Sequence, residues 1–307
     1  MFERERFVKA KYSGNEQLFG KTAIVTGANT GIGKEVAHDF ARRGARVIMA
    51  CRDLTKCEVA REKIVADSFN TNVVCRECDL ASIESIKKFA EQINKEEKYL
   101  HLLINNGGVM WHPSKLTKDG FEQHLGVNYL GVSERDKFDV ELIGFRCFSG
   151  HFLLTNLLVD KLKACSPSRI VNVVSSMYQR GVIDFDDLNL SKKQYNPRYA
   201  YEQAELAIVL SSQEFCRRYA GRLIKENRCN MLIVFLSIGS GVTSNCVNPG
   251  ITRTEIARHT VDKSFISRAI IGPFLRAFMK TPTQGAQAVI QAALDPALDG
   301  QCGRYLK

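Results

Sequence analysis

Short apolar runs alternate with amphipathic stretches from Lys21 almost to the C-terminus. Ala23-Ile24-Val25 is the first run, and Arg46–Ala50, Asn72–Arg76, Leu100–Ile104 and Arg169–Val174 follow. Each is rich in Val, Ile or Leu with little polar alternation, the pattern of strands buried on both faces. Helical patterns separate them at Lys34–Arg43, Thr55–Ser68 and Ser82–Glu97. In the last of these, Ile83, Ile86, Phe89, Ala90 and Ile93 share one face. A further pattern, Glu202–Leu210, is led by Tyr201, and Gly303–Leu306 reads as a final strand. Strands joined through helices imply right-handed crossovers and a parallel sheet covered on both sides.

The first apolar run opens into Thr26-Gly27-Ala28-Asn29-Thr30-Gly31-Ile32-Gly33, and a helical pattern follows at once. Strand, glycine-rich turn and helix in that order suit the pyrophosphate of a dinucleotide. Gly27 permits a tight turn, Gly31 lets the backbone approach the phosphates, and Gly33 lets the helix pack on its strand. Asn29, Thr30 and Ile32 complete the turn and the helix start, whose free N–H groups and positive end would face the anion. A purely structural turn fits the same glycines. The predicted fold is therefore α/β, a doubly wound, Rossmann-like parallel sheet in a single domain over 21–307, preceded by a polar arm over 1–20.

The second run ends at Ala50-Cys51-Arg52-Asp53, roughly 20 residues beyond the turn, where an adenosine ribose should lie. Cys51 stands where an acidic residue would bind a ribose 2′-hydroxyl. Arg52 follows, and its guanidinium suits a 2′-phosphate, so the cofactor expected is NADP rather than NAD. The alternative is a solvated arginine whose charge Asp53 offsets.

Composition narrows the partners. The formal charge is +10, but the basic residues are dispersed and no basic run is interleaved with aromatics. Nucleic-acid binding is not expected, and an anionic cofactor accounts for the excess. The ten cysteines follow no framework spacing and read as reduced thiols. Cys75-Arg76-Glu77-Cys78 is a CxxC without a second pair or a histidine, so no metal site is expected. Met1–Phe19 is polar, and no apolar stretch approaches the ~20 residues a membrane span needs. The chain reads as cytoplasmic, with peripheral attachment to an intracellular membrane left open, as is its oligomeric state.

Together these motifs resemble the short-chain dehydrogenase/reductase family, in its retinol-dehydrogenase-like branch. The glycine turn is similar to the family's TGxxxGxG, and Asp79-Leu80 to its adenine-contacting pair. Asn105-Asn106-Gly107-Gly108 is similar to NNAG, with Gly107 in place of alanine, and Pro249-Gly250 to the motif before the nicotinamide-contacting loop. The resemblance implies that Asn106 and Gly107 line the cofactor site and that Thr254 contacts the nicotinamide amide. It implies hydride transfer between a nicotinamide and an apolar aldehyde or alcohol such as retinal or retinol. Tyr201 would then be the proton donor, Ser176 the second donor to the substrate oxygen, and Asn128 the site asparagine. Tyr199 is the rival tyrosine. Ile266, Ile270, Ile271, Phe274, Leu275 and Phe278 offer apolar surface for such a substrate or for ordinary packing.

Three departures stand against these matches. The family's YxxxK reads Tyr201-Glu202-Gln203-Ala204-Glu205. A lysine one turn from the tyrosine holds the cofactor ribose and lowers the tyrosine pKa; Glu205 does the reverse on both counts. Val132–Gly150 is charged and non-periodic, and it interrupts a helix that the family runs without a break. Arg222–Gly239 interrupts a connection and carries the apolar run Met231–Leu236, which needs burial. Both read as insertions, and back-translation of their ends admits splice-site-like codons, so retained introns are one reading of their origin. A catalytically silent cofactor-binding or interaction protein of the same fold is the alternative to an active enzyme.

Overall fold

The computed structural model describes residues 12–129, 150–192, 194–219, 239–254, 256 and 279–307. Seven strands, β1 (Thr22–Thr26), β2 (Arg46–Cys51), β3 (Val73–Glu77), β4 (Leu102–Asn105), β5 (Ser168–Val173), β6 (Val242–Val247) and β7 (Tyr305–Leu306), form one sheet. Every pairing is parallel, in the order β3-β2-β1-β4-β5-β6-β7. The helices are α1 (Gly31–Arg42), α2 (Leu54–Ser68), α3 (Ile83–Glu96), α4 (Gly150–Ala164), α5 (Pro197–Tyr219) and α6 (Pro282–Leu294). The doubly wound sheet expected from the alternating pattern is what forms.

Strand side chains alternate between two apolar layers. Ala23, Val25, Val47, Met49 and Ile104 pack with Phe40 of α1, Ile64 of α2 and Val289 of α6. Ile24, Ile48, Leu103 and Ile170 pack with Phe89 of α3, Leu154 and Leu158 of α4 and Phe215 of α5. Strand order reverses between β1 and β4, so the crevice at their carboxyl ends is the expected ligand site of such a sheet.

Local signals explain most boundaries. Asp53 and Ser82 accept hydrogen bonds from Lys56 and Ser85 N–H groups and so cap α2 and α3. Thr281 and Gln284 form a capping box with Pro282 at the start of α6. The pattern starting at Glu202 was too short. Asn196 Oδ1 accepts from Arg198 N–H and Pro197 opens the helix, so α5 starts earlier and Tyr201 lies in its second turn. The described end of the N-terminal arm packs on the domain, with Arg43 Nη1 donating to the Gly14 and Glu16 carbonyls.

The cysteines correct the sequence reading. Cys57 of α2 is bonded to Cys75 of β3, and Cys216 of α5 to Cys302. Packing of α2 on β3, and of α5 against the approach to β7, brings together residues whose sequence spacing gives no hint of pairing. Cys51, Cys78, Cys165 and Cys246 are free.

Both apparent insertions lie mostly outside the described residues, as do Met231–Leu236 and the six apolar residues from Ile266 to Phe278. Their described ends are informative. A π-helical turn, Leu125–Tyr129, precedes the first segment. A Cβ on Gly150 would fall 3.1 Å from the Val127 carbonyl and 3.2 Å from that of Gly126. Gly150, which the sequence reading gave to the insertion, is thus the first residue of α4 and abuts the turn. Across the second segment, Ser240 N–H donates to the Tyr219 carbonyl at 2.8 Å. Each segment departs and returns at nearly one place.

Candidate active site

The cradle is built by three close approaches. Gly31 has φ +58, a left-handed conformation that glycine adopts without strain, and a Cβ there would lie 3.1 Å from Thr254 Cγ2. A Cβ on Gly33 would meet Asn106 Nδ2 at 2.4 Å and the Gly27 carbonyl at 2.6 Å. Behind the turn, Thr26 Oγ1 accepts from the Asn106 and Gly107 N–H groups at 2.9 and 2.8 Å. Asn106 Nδ2 returns a hydrogen bond to the Thr26 carbonyl at 3.0 Å. Thr30 leads α1 without a side-chain cap, so the first-turn N–H groups of α1 are not taken by its hydroxyl. An anion is the natural partner of such an end.

Cys51 lies beneath this turn. Burial pushes its thiol up to about 11, while N–H donation from Ala28 and Asn29 acts the other way. Arg52 is exposed beyond it. Asp53 is engaged elsewhere: its carboxylate caps α2 and lies 3.5 Å from Lys56 Nζ. Arg52 has no carboxylate partner among the described residues, so the offsetting pair considered above does not form. Asp79 accepts from Ala81 N–H, and Leu80 is buried against Gly107. A Cβ on Gly107 would stand 2.9 Å from Leu80 Cδ1, which is a reason for glycine there.

Tyr201 and Glu205 face the same way from α5, one turn apart. Glu205 is 3% exposed. Its Oε2 accepts from Ser175 N–H at 2.6 Å, and its Oε1 from Asn128 Nδ2 at 3.3 Å. Tyr201 hydroxyl completes its hydrogen bonds. Asn128 is pinned in turn, with Oδ1 accepting from Val109 N–H at 2.9 Å and Nδ2 donating to the Val109 carbonyl. Asn128, Tyr201 and Glu205 are therefore brought together as the sequence implied.

The expected hydroxyl is a different one. Ser175 Oγ hydrogen-bonds Tyr201, whereas Ser176 is exposed and starts a short 3₁₀ turn, Ser176–Arg180. The chain leaves β5 through Val174, whose N–H still bonds the Val247 carbonyl. Ser175 follows directly and meets Tyr201, while Ser176 turns outward into the 3₁₀ turn. The rival Tyr199 is 65% exposed and stands away from the cluster.

Electrostatics follow from burial. Loss of water pushes Glu205 up to about 7, against the hydrogen bonds from Ser175, Asn128 and Tyr201. Burial and then the Glu205 charge push Tyr201 well above its ordinary value, with the Ser175 hydroxyl opposing. Sequence reasoning missed His151, whose Nε2 lies 2.9 Å from Thr26 Oγ1 and which also hydrogen-bonds the Asn128 backbone. Burial lowers it to about 4, so it is neutral and joins the cradle to the cluster. Its place after an interruption of the helix hid that role. Among the described residues no cluster could hold a metal ion, and no helix is long and apolar enough to cross a membrane.

The profile of a family described as short chain dehydrogenase matches residues 21–137. Retinol dehydrogenase 13 of Homo sapiens is 44% identical over 287 residues, covering 93% of this chain and 76% of that protein. Retinol dehydrogenase 12 of Bos taurus is 42% identical, over 94% of this chain and 78% of that one. Among solved structures, an uncharacterized protein from Mycobacterium paratuberculosis shares 30% identity with a TM-score of 0.63, over 92% of this chain and 81% of that chain. A Pseudomonas aeruginosa RhlG/NADP active-site complex has a TM-score of 0.64 over 95% of this chain and 96% of that one. Its 19% identity extends the likeness to fold alone.

Proposed function

Because the chain belongs to the short-chain dehydrogenase/reductase family, in its retinol-dehydrogenase-like branch, we propose that it binds NADP(H) with hydride transfer suppressed by Glu205. The substrate class is a long apolar aldehyde or alcohol, such as retinal or retinol, in keeping with the names of its relatives. Peripheral contact with a membrane suits such a substrate.

The residues fit the adenosine and pyrophosphate portions of the cofactor, since the first-turn N–H groups of α1 are not taken by the Thr30 hydroxyl and the glycines of the turn add no side chain before them. Bound NADPH supplies the hydride. Gly27, Asn29, Thr30, Gly31, Ile32 and Gly33 hold the pyrophosphate, and Arg52 the 2′-phosphate. Asp79 and Leu80 flank the adenine; Asn106, Gly107, Pro249 and Gly250 line the cofactor site, and Thr254 serves the nicotinamide amide. Tyr201 and Ser175 are the donors to a carbonyl oxygen as it gains negative charge. Tyr201 must release its proton to act, and burial beside a carboxyl group opposes that release. The ribose also loses its cationic partner.

The observation that carries this reading is Glu205 bonded to Ser175, Asn128 and Tyr201 at once. The carboxyl group lies inside the acid–base cluster instead of beside it. Titration of NADPH and NADH against Trp111 fluorescence, the one tryptophan, tests the cofactor. Tighter binding of NADPH is expected, and equal affinities would remove the NADP preference.

A further inference from the structure

Lys280 belongs to none of the sequence motifs of the cradle or the cluster. Its N–H donates to the Ile251 carbonyl and its own carbonyl accepts from Arg253 N–H, both at 2.9 Å. The two segments form a parallel bridge at Thr252, and the α6 capping box begins with the next residue. The backbone of Lys280 is therefore fixed from both sides. Its side chain folds across Gly250, where a Cβ would stand 3.0 Å from Nζ and 3.2 Å from Cε. Nζ donates to the Pro249 carbonyl at 3.2 Å.

The loop that holds Lys280 also closes on the cradle. Thr254 lies against Gly31. A Cβ on Gly285 would fall 2.6 Å from Thr252 Oγ1 and 3.3 Å from Ile32 Cδ1, so Thr252 sits beside the first turn of α1. Lys280 is half-buried and has no carboxylate partner among the described residues. A single bond to a carbonyl leaves two of its three donors unused. Those donors and the charge of Nζ suit a phosphate oxygen.

We propose that Lys280 is a phosphate-binding residue that directs positive charge at the dinucleotide pyrophosphate from the Pro249-Gly250 loop. It supplies a cation to a cofactor site whose α5 carries Glu205 in place of lysine. This inference rests on the reading that the cradle binds NADP(H). Because both dinucleotides contain the pyrophosphate, Lys280 acts on NADPH and NADH alike, unlike Arg52.

The test is a set of fluorescence titrations of both dinucleotides with the full chain, Lys280→Met, Lys280→Gln, Lys280→Arg and the surface control Lys88→Met. Loss of a charged contact should weaken both dinucleotides roughly tenfold or more. Lys280→Gln keeps a donor for Pro249, which protects the fold, and should weaken binding as much as Lys280→Met. Lys280→Arg should retain most of the affinity, and Lys88→Met all of it. Unchanged affinities in the Met and Gln variants would overturn the inference and leave the cofactor reading standing. A loss confined to NADPH would also overturn it, by moving the contact to the 2′-phosphate. A parent chain that binds neither dinucleotide would overturn the cofactor reading and this inference with it.

Discussion

The cradle at the end of β1 and the cluster at the start of α5 are two halves of one site, and they have fared differently. In the cradle every departure is small: Gly107 replaces an alanine, and Leu80 fills the space beside it. In the cluster a single residue changes sign. Glu205 occupies the position of a cation and turns the hydrogen bonds of Ser175, Asn128 and Tyr201 toward a carboxyl group. Binding by backbone N–H groups depends on shape and survives substitutions that keep the turn. Proton transfer depends on a matched pKa and does not survive a reversal of charge. On the proposed reading, this chain keeps the means to hold a cofactor while losing the means to use it.

The largest effect expected from this contrast is on catalysis. Glu205→Lys should raise NADPH-dependent reduction of a long-chain aldehyde by ~10²–10⁴, about 3–5 kcal/mol of barrier. No gain in steady-state rate would mean that the two halves do not differ in the way described.

Next comes the tether between α5 and the C-terminal strand. Cys216→Ser should lower unfolding stability by ~2–4 kcal/mol, because it opens the loop closed by Cys302. A denaturant series on the variant and on the parent with reductant reads this directly. An unaffected midpoint in both would show that the pair does not brace the catalytic helix.

Third is the pH dependence of stability. Glu205 is raised from the ordinary 4.5 to about 7, which corresponds to roughly 3 kcal/mol. Below the lower value it is protonated folded and unfolded, and it carries no penalty. As pH rises, the unfolded chain ionises first, so the native state loses stability until pH passes the folded value near 7. The stability of the parent relative to Glu205→Gln should therefore fall between pH 4.5 and 7 and then level off. A flat difference would indicate that the carboxyl group is hydrated.

The smallest effect sharpens the cradle. Arg52→Ala should weaken NADPH roughly ten- to a hundredfold, about 1.5–3 kcal/mol, and leave NADH unchanged. Parallel loss for both dinucleotides would place Arg52 elsewhere than at a 2′-phosphate.

What the sequence disclosed follows the range of the interactions. The glycine turn and the strands other than β6 are local patterns, legible to within a residue or two; β6, Val-Thr-Ser-Asn-Cys-Val, carries too many polar residues to have been read as a buried strand. Asn128, Tyr201 and Glu205 came from the resemblance to the family's motifs, and they meet in space. Ser175 was missed because the backbone path beyond β5, and not the motif, decides which of two adjacent hydroxyls turns toward Tyr201. The disulfides were missed because 18 and 86 residues separate their partners, and only the stacking of helix on sheet joins them. Lys280 was missed for the same reason, since its neighbours Pro249 and Gly250 belong to another segment. Val132–Gly150 was read as interrupting a helix, and its one described residue, Gly150, opens α4 against the π-helical turn at Gly126 and Val127.

The most direct measurement of the central claim is a single mixing experiment on the unmodified chain. Protein saturated with NADPH, with binding followed by Trp111 fluorescence, is mixed with a long-chain aldehyde while nicotinamide absorbance is recorded. The account predicts saturable binding with little or no oxidation of NADPH. Rapid oxidation by this chain, with Glu205 in place, would contradict it.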